Sequence, residues 1–216
     1  ALLCRSQGVP LMIDASQSAG SLPVSLEQTG AAFIAMPGHK GLFGPQGTGL
    51  LLCGGEQVVP LMQGGTGSES IRQQMPDFLP DHLEAGTHNV AGIAGLLEGL
   101  RFVERRGTQA ILSHEQGLIH TLADCLSQIP NVEIFFSPEH QAGVLSLRAG
   151  NRDCEELGEL LGEGGYALRA GLHCAPYAHE TAGTLETGTL RASVSPFNTE
   201  QEMFRFADEL ARLVKT

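Results

Sequence analysis

Residues 31–53 read AAFIAMPGHKGLFGPQGTGLLLC. The runs at its two ends, AAFIAM (31–36) and TGLLLC (48–53), are short, apolar and bounded by Gly, Pro and polar residues, the pattern of strands buried on both faces. VPLMI (9–13), upstream, is a third run of this kind, and the three together predict an α/β sheet. Glycine is dense from 38 to 67, through GHKGLFGPQGTG and QGGTG. Such stretches are either flexible loops or backbone packed closely around a ligand, and composition does not choose between them. The opening residues, ALLCRSQGVPLMID, read as a helix end running straight into a buried strand, so the chain is expected to begin within a domain.

Helical spacing takes over further along. From Asn89 to about Val103 the residues Ile93, Leu96, Leu97 and Leu100 recur at helical intervals, and after RRG (105–107) a second helix aligns Leu118, Leu122, Cys125 and Ile129. A boundary near Gly107 divides the chain into 1–106 and 107–216. In the second part VEIFF (132–136), GVLSLRA (143–149), ALRA (167–170) and TLRASV (189–194) read as strands of a small α/β domain. Asn151 is the expected N-cap of a helix with Asp153, Glu155 and Glu156 in its first turn. The last helix opens with the capping-box spacing Thr199 to Glu202 and buries Met203, Ala207, Leu210 and Val214. No internal repeat or low-complexity tract interrupts this order.

With 216 residues, 42% of them hydrophobic, the chain buries a sizeable core. A formal charge of −11 with 13 scattered basic residues argues against a nucleic-acid surface. No apolar run approaches the ~20 residues of a membrane span, so a soluble protein is expected. Cys4, Cys53, Cys125, Cys154 and Cys174 are an odd set without a CxxC pair, which fits neither a disulfide framework nor a structural zinc site. A reducing, cytoplasmic compartment follows as the expectation.

Lys40 lies in the glycine-rich stretch, where a lysine is ordinarily solvated and otherwise binds phosphate or forms a Schiff base. Asp14 ends VPLMI and is followed by Gln17 in DASQSAG; alone it reads as a turn acid or helix cap. Together the two match what a pyridoxal phosphate (PLP) site needs, an amine for the aldehyde and a carboxylate to keep the pyridine nitrogen protonated. Both fall at strand ends, where α/β sheets bind ligands. Cys174, in ALRAGLHCAPYAH (167–179), has the ordinary reading of a small buried hydrophobe. A nucleophilic cysteine wants positive charge or donors nearby, and Arg169 and His173 are the nearest in sequence. His173 reads equally well as a core histidine.

In order, the chain carries D-x-x-Q (14–17), G-H-K (38–40) followed by G-P-x-G-x-G (44–49), E-A-G-T-x-N (84–89) and R-x-G-x-H-C-A-P (169–176). This succession resembles the cysteine desulfurase/selenocysteine lyase family of class V aminotransferase-like, fold-type I PLP enzymes, from about Val9 to the C-terminus. The resemblance implies part of the PLP-dependent transferase fold: residues 1–106 as the C-terminal part of the large PLP-binding domain, and 107–216 as the small domain carrying the cysteine loop. It implies Lys40 as the lysine bonded to PLP, Asp14 as the partner of the pyridine nitrogen, Gln17 as donor to the ring hydroxyl and His39 as a phosphate contact. It implies that Thr87 meets the phosphate of a neighbouring subunit's cofactor, with Gly64 and Gly65 near a shared site, and hence a homodimer. Cys174 is then the sulfur acceptor, Arg191 the grip on the substrate carboxylate, and Arg169 a second arginine near the cysteine. The other four cysteines carry no motif and are read as structural.

Two departures stand out. Pro37 replaces the Ser or Thr that relatives carry before G-H-K, and proline offers no donor. The phosphate-binding helix terminus, the ring-stacking histidine and the asparagine that relatives supply from their N-terminal half have no counterpart in these residues. The short segment around Cys174 resembles the branch that hands sulfur to an acceptor protein. The leading expectation is conversion of L-cysteine to L-alanine with a persulfide on Cys174. Selenocysteine lyase or aminotransferase-like chemistry is the first alternative, and an inactive fragment serving only in dimerisation the second.

Overall fold

The computed structural model describes residues 1–55, 58–150 and 152–215. It divides into two compact units, Ala1–Gln109 and Ala110–Thr216, each with its own sheet and apolar core.

The first unit contains α1 (Leu2–Ser6), β1 (Met12–Asp14), α2 (Leu26–Thr29), β2 (Phe33–Pro37), β3 (Gly49–Cys53) and α3 (Val90–Arg106). β1 runs parallel to β2, and β2 antiparallel to β3. The register sets Ile13 beside Ile34 and Ile34 beside Leu52, so these side chains share a face. They join a core with Ala15, Ala19, Leu42 and Leu96. The expectation of strands buried on both faces fails for β1, whose Met12 is 59% exposed, and for β3, whose Leu51 is 46% exposed. A three-residue strand paired only to β2 sends Met12 and Asp14 to the side opposite the core.

α3 begins at Asn89, whose side chain accepts a hydrogen bond from the Gly92 amide. Its buried stripe is Leu96, Gly99 and Val103, while Ile93 and Leu97 stay about half exposed. The expected apolar face is therefore displaced, and glycines cause it. A Cβ at Gly99 would lie 2.2 Å from the carbonyl oxygen of Leu42, and one at Gly95 would lie 3.2 Å from Pro45. Backbone of the lysine-bearing stretch lies directly on this face of the helix.

The second unit contains most of α4 (Thr108–Leu126), then β4 (Val132–Phe135), β5 (Val144–Ala149), α5 (Cys154–Glu163), β6 (Arg169–Gly171), α6 (Pro176–Thr181), β7 (Thr189–Ser193) and α7 (Glu200–Lys215). Its sheet is antiparallel throughout, in the order β4-β5-β7-β6. Leu145, Leu147 and Leu190 pack with Leu122 and Leu126 of α4, Leu157 and Leu161 of α5, and Leu210 of α7. Each fully buried leucine contributes about 2 kcal/mol. The N-cap of α5 is Asp153, which accepts from the amides of Glu155 and Glu156 at 2.8 and 3.0 Å; Asn151, the expected cap, lies outside the described residues. At α7 the Glu202 carboxylate accepts from the Thr199 amide (2.6 Å) and hydroxyl (3.0 Å), one arm of the expected box, and these bonds hold its carboxyl below the usual range. Met203, Phe206, Ala207, Leu210 and Leu213 form the buried face of α7, with Val214 half-buried beside it. Among the described residues no helix is long and apolar enough to cross a membrane.

Candidate active-site residues

Parallel strands end on the same side. Asp14 is the last residue of β1, and Lys40 follows the end of β2 by three residues. The segments beyond them are held together by two glycines. Gly20, at φ +95°, has room for no side chain, because a Cβ there would sit 1.8 Å from the carbonyl oxygen of Gly41. A Cβ at Gly41 would sit 2.2 Å from that of Ala19. The lysine stretch also closes on itself: the Phe43 amide donates to Lys40 O (2.9 Å), Gly44 to Gly38 O (2.7 Å) and Gly38 to Thr48 O (2.8 Å). GHKGLFGPQGTG is thus packed closely against the chain's own backbone.

Asp14, Gln17, His39 and Lys40 are all exposed to solvent. Hydrogen bonds from Ser16, including its amide at 2.9 Å, hold the Asp14 carboxyl below the usual range, and the nearby charge of Lys40 adds to this. An ionised carboxylate and a primary amine at neighbouring strand ends fit PLP. Pro37, the departure noted above, closes β2 opposite Gly49. Thr87 is exposed, and its motif is tied to the other glycine-rich stretch, since the Gly86 amide donates to Gly65 O at 2.7 Å. No hydrogen bond among the described residues joins Thr87 to Asp14 or Lys40.

In the second unit β6 and β7 set Arg169 directly opposite Arg191. Neither makes an ion pair among the described residues, and the Nε of Arg191 is shielded from solvent without a hydrogen-bond partner. Two like charges side by side, with an orphaned donor, are arranged for an anion. Cys174 is exposed, and Arg169 donates to its sulfur at 3.5 Å. The backbone there is strained: His173 and Cys174 both take left-handed conformations, at φ 53° and 61°, outside the glycines that usually hold them.

His173 is neither a fully satisfied core histidine nor a free surface one. Its Nε2 lies 3.0 Å from the Thr189 hydroxyl, and its Nδ1 is shielded without a partner. Burial, then the charges of Arg191, His179 and Arg169, lower its pKa. Sequence reasoning missed what stands behind it. His179, Thr184 and Thr189 are buried, and His179 Nδ1 lies 2.8 Å from Thr184 Oγ1. Each lies on an irregular or short element with no periodicity to mark it; the weak signal is a histidine one turn after the proline that follows Cys174.

Likeness to solved structures places this α/β architecture in the fold-type I class of PLP-dependent enzymes. The chain belongs to the class-V aminotransferase family, whose model it matches over residues 1–206. It is 35% identical over 214 residues to a protein named "Probable cysteine desulfurase" from Methanothermobacter thermautotrophicus, a match that takes in 95% of this chain and 53% of that protein. Among solved structures it superimposes on the apo cysteine desulfurase of Thermococcus onnurineus with a TM-score of 0.88 and 29% identity, over 99% of this chain and 55% of the other. A cysteine desulfurase from Escherichia coli, in its S-sulfonic acid form, gives 0.87 and 29%, over 99% and 54%. The chain spans about half the length of these proteins.

Proposed function

We propose that this chain is the part of a PLP-dependent cysteine desulfurase that carries the cofactor lysine and the sulfur-accepting thiol. The observation that carries the reading is the exposed Cys174 thiol beside the Arg169 guanidinium, with Arg191 opposite. A cationic neighbour is what a nucleophilic thiol requires. In this reading residues 1–106 are the C-terminal part of the large PLP-binding domain, and 107–216 the small domain with the cysteine loop. Lys40 bonds the PLP aldehyde, Asp14 faces the pyridine nitrogen, Gln17 the ring hydroxyl and His39 the phosphate. Thr87 serves the phosphate of a neighbouring subunit's cofactor, which makes the working assembly a homodimer.

PLP, when bound, supplies an electron sink for the bonds at Cα and Cβ of the substrate. Arg191 holds the carboxylate of L-cysteine, a task suited to a planar bidentate donor, and Arg169 adds positive charge beside it. The Lys40 amine, set free when the amine of L-cysteine takes its place on the cofactor, would then take the proton from Cα. The Cys174 sulfur bonds to the substrate sulfur while the substrate Cβ–S bond breaks. A proton takes the place of sulfur on Cβ, giving L-alanine and a Cys174 persulfide. The outer sulfur then passes to an acceptor protein. Free thiols of this kind persist in a reducing compartment, the cytoplasm.

Replacing Cys174 by Ala tests the reading. Sulfide release from L-cysteine should be lost, while alanine release from cysteine sulfinate, which needs no attacking thiol, should persist. Unchanged sulfide release would remove Cys174 from the mechanism. Selenocysteine assayed alongside reports whether selenium is preferred to sulfur.

A further inference from the structure

The reaction as proposed leaves unused the polar cluster buried in the second unit. His179 (7% exposed), Thr184 (1%) and Thr189 (2%) are the buried polar residues among the described ones, and they gather at His173, which His179 and Thr189 meet directly and Thr184 through His179. Burying a polar group costs free energy unless it is hydrogen-bonded, so three in one place need a reason. Their contacts form a chain that leads outward. Thr184 meets His179 Nδ1 at 2.8 Å; the ring of His179 lies 5.5 Å from that of His173, tilted by 48°; and His173 Nε2 meets Thr189 at 3.0 Å. His173 adjoins Cys174, and both hold left-handed backbone that an unbraced chain would leave. The main chain closes the same path, with the Ala175 amide donating to Leu172 O at 2.9 Å, His179 to Ala175 O at 3.2 Å and Thr184 to His179 O at 2.8 Å.

We infer that His179, braced by Thr184, is a positioning residue for the Cys174 thiol: it backs the His173 ring and so keeps residues 173 and 174 in the conformation that presents sulfur to Arg169. The inference rests on Cys174 being the sulfur acceptor. His179 touches neither substrate nor cofactor in this scheme.

The test measures iodoacetamide alkylation of Cys174, mapped by mass spectrometry, together with kcat and KM for alanine formation from L-cysteine. His179→Phe fills the space without the hydrogen bond. It should slow alkylation about fivefold, the size of one lost hydrogen bond of ordinary strength, and lower kcat while leaving KM unchanged. His179→Asn carries an amide near the position of Nδ1 and should restore both to within about twofold. Thr184→Val, nearly isosteric, should match His179→Phe and serves if the latter does not fold. Alkylation at the unaltered rate in His179→Phe or Thr184→Val, or no recovery in His179→Asn, would overturn the inference. Alkylation needs no PLP, so a failed desulfurase reading, seen as sulfide release that survives Cys174→Ala, is told apart from a failed role for His179.

Discussion

The lysine stretch and the cysteine stretch both follow the end of a strand, yet they are held by opposite means. Around Lys40 the chain leaves no slack: Gly20 and Gly41 bring backbone against backbone, and the glycine face of α3 receives the loop. Around Cys174 the conformation is one that His173 and Cys174 adopt at a cost of about 1 kcal/mol or more each, offset by a guanidinium on the sulfur and a buried polar cluster at the His173 ring. Under the proposed function, steric closure suits a site that holds a bulky cofactor in one pose, and a braced, strained loop suits a thiol that first meets a substrate and then presents its sulfur elsewhere.

The sharpest way to break this comparison is to remove each nucleophile. Lys40→Ala should abolish both cofactor retention and turnover, the latter by about three orders of magnitude or more. Cys174→Ala should end sulfide release yet leave PLP bound, as read from the visible absorbance of the lysine-linked cofactor. Loss of PLP from the Cys174 variant would mean that the two stretches are not functionally separable.

Next in size is a test of steric closure. Gly20→Ala meets the carbonyl of Gly41 at 1.8 Å in a left-handed conformation, and neither backbone can yield cheaply. A loss of about 3 kcal/mol or more in denaturant unfolding is expected. Gly171→Ala is its counterpart beside the cysteine: φ is +101°, but nothing lies within 4 Å of the added carbon. Strain alone should cost about 1–2 kcal/mol. Equal losses at the two glycines would erase the distinction between closure and strain.

The sequence made the strands of both units legible because short apolar runs between Gly, Pro and polar residues have few other solutions. The ordered motifs pointed to Asp14, Lys40, Arg169 and Cys174 as candidates before any geometry, and the family resemblance added Arg191 in TLRASV. What stayed hidden obeys other rules. Hydrophobic periodicity put Ile93 and Leu97 on the packed face of α3, because a pattern of apolar residues cannot register that Gly95 and Gly99 bury more tightly by carrying nothing. His179, Thr184 and Thr189 escaped because their pairing depends on the return of the chain through α6 to β7, which no local window contains.

The smallest expected effect comes from His173. Its folded-state pKa is pushed below the ordinary 6.5, first by burial and then by Arg191, His179 and Arg169, with Thr189 acting in the other direction. A histidine depressed by folding binds its proton more readily in the unfolded chain. Its neutral form therefore supports the fold fully above pH 6.5, and that support is lost as pH falls from 6.5 through the folded-state value. Both tyrosines of the chain, Tyr166 and Tyr177, belong to the second unit, so their near-ultraviolet signal follows its melting. Glu115 of the same unit, its carboxyl pushed up to about 7 by burial, acts in the opposite sense, its neutral form supporting the fold at lower pH and losing that support as pH rises through about 7. The readout is therefore the difference between the two proteins, with the parent's midpoint falling relative to that of His173→Gln by a few degrees below pH 6.5. A slope that His173→Gln leaves unchanged would assign the acid sensitivity to other groups.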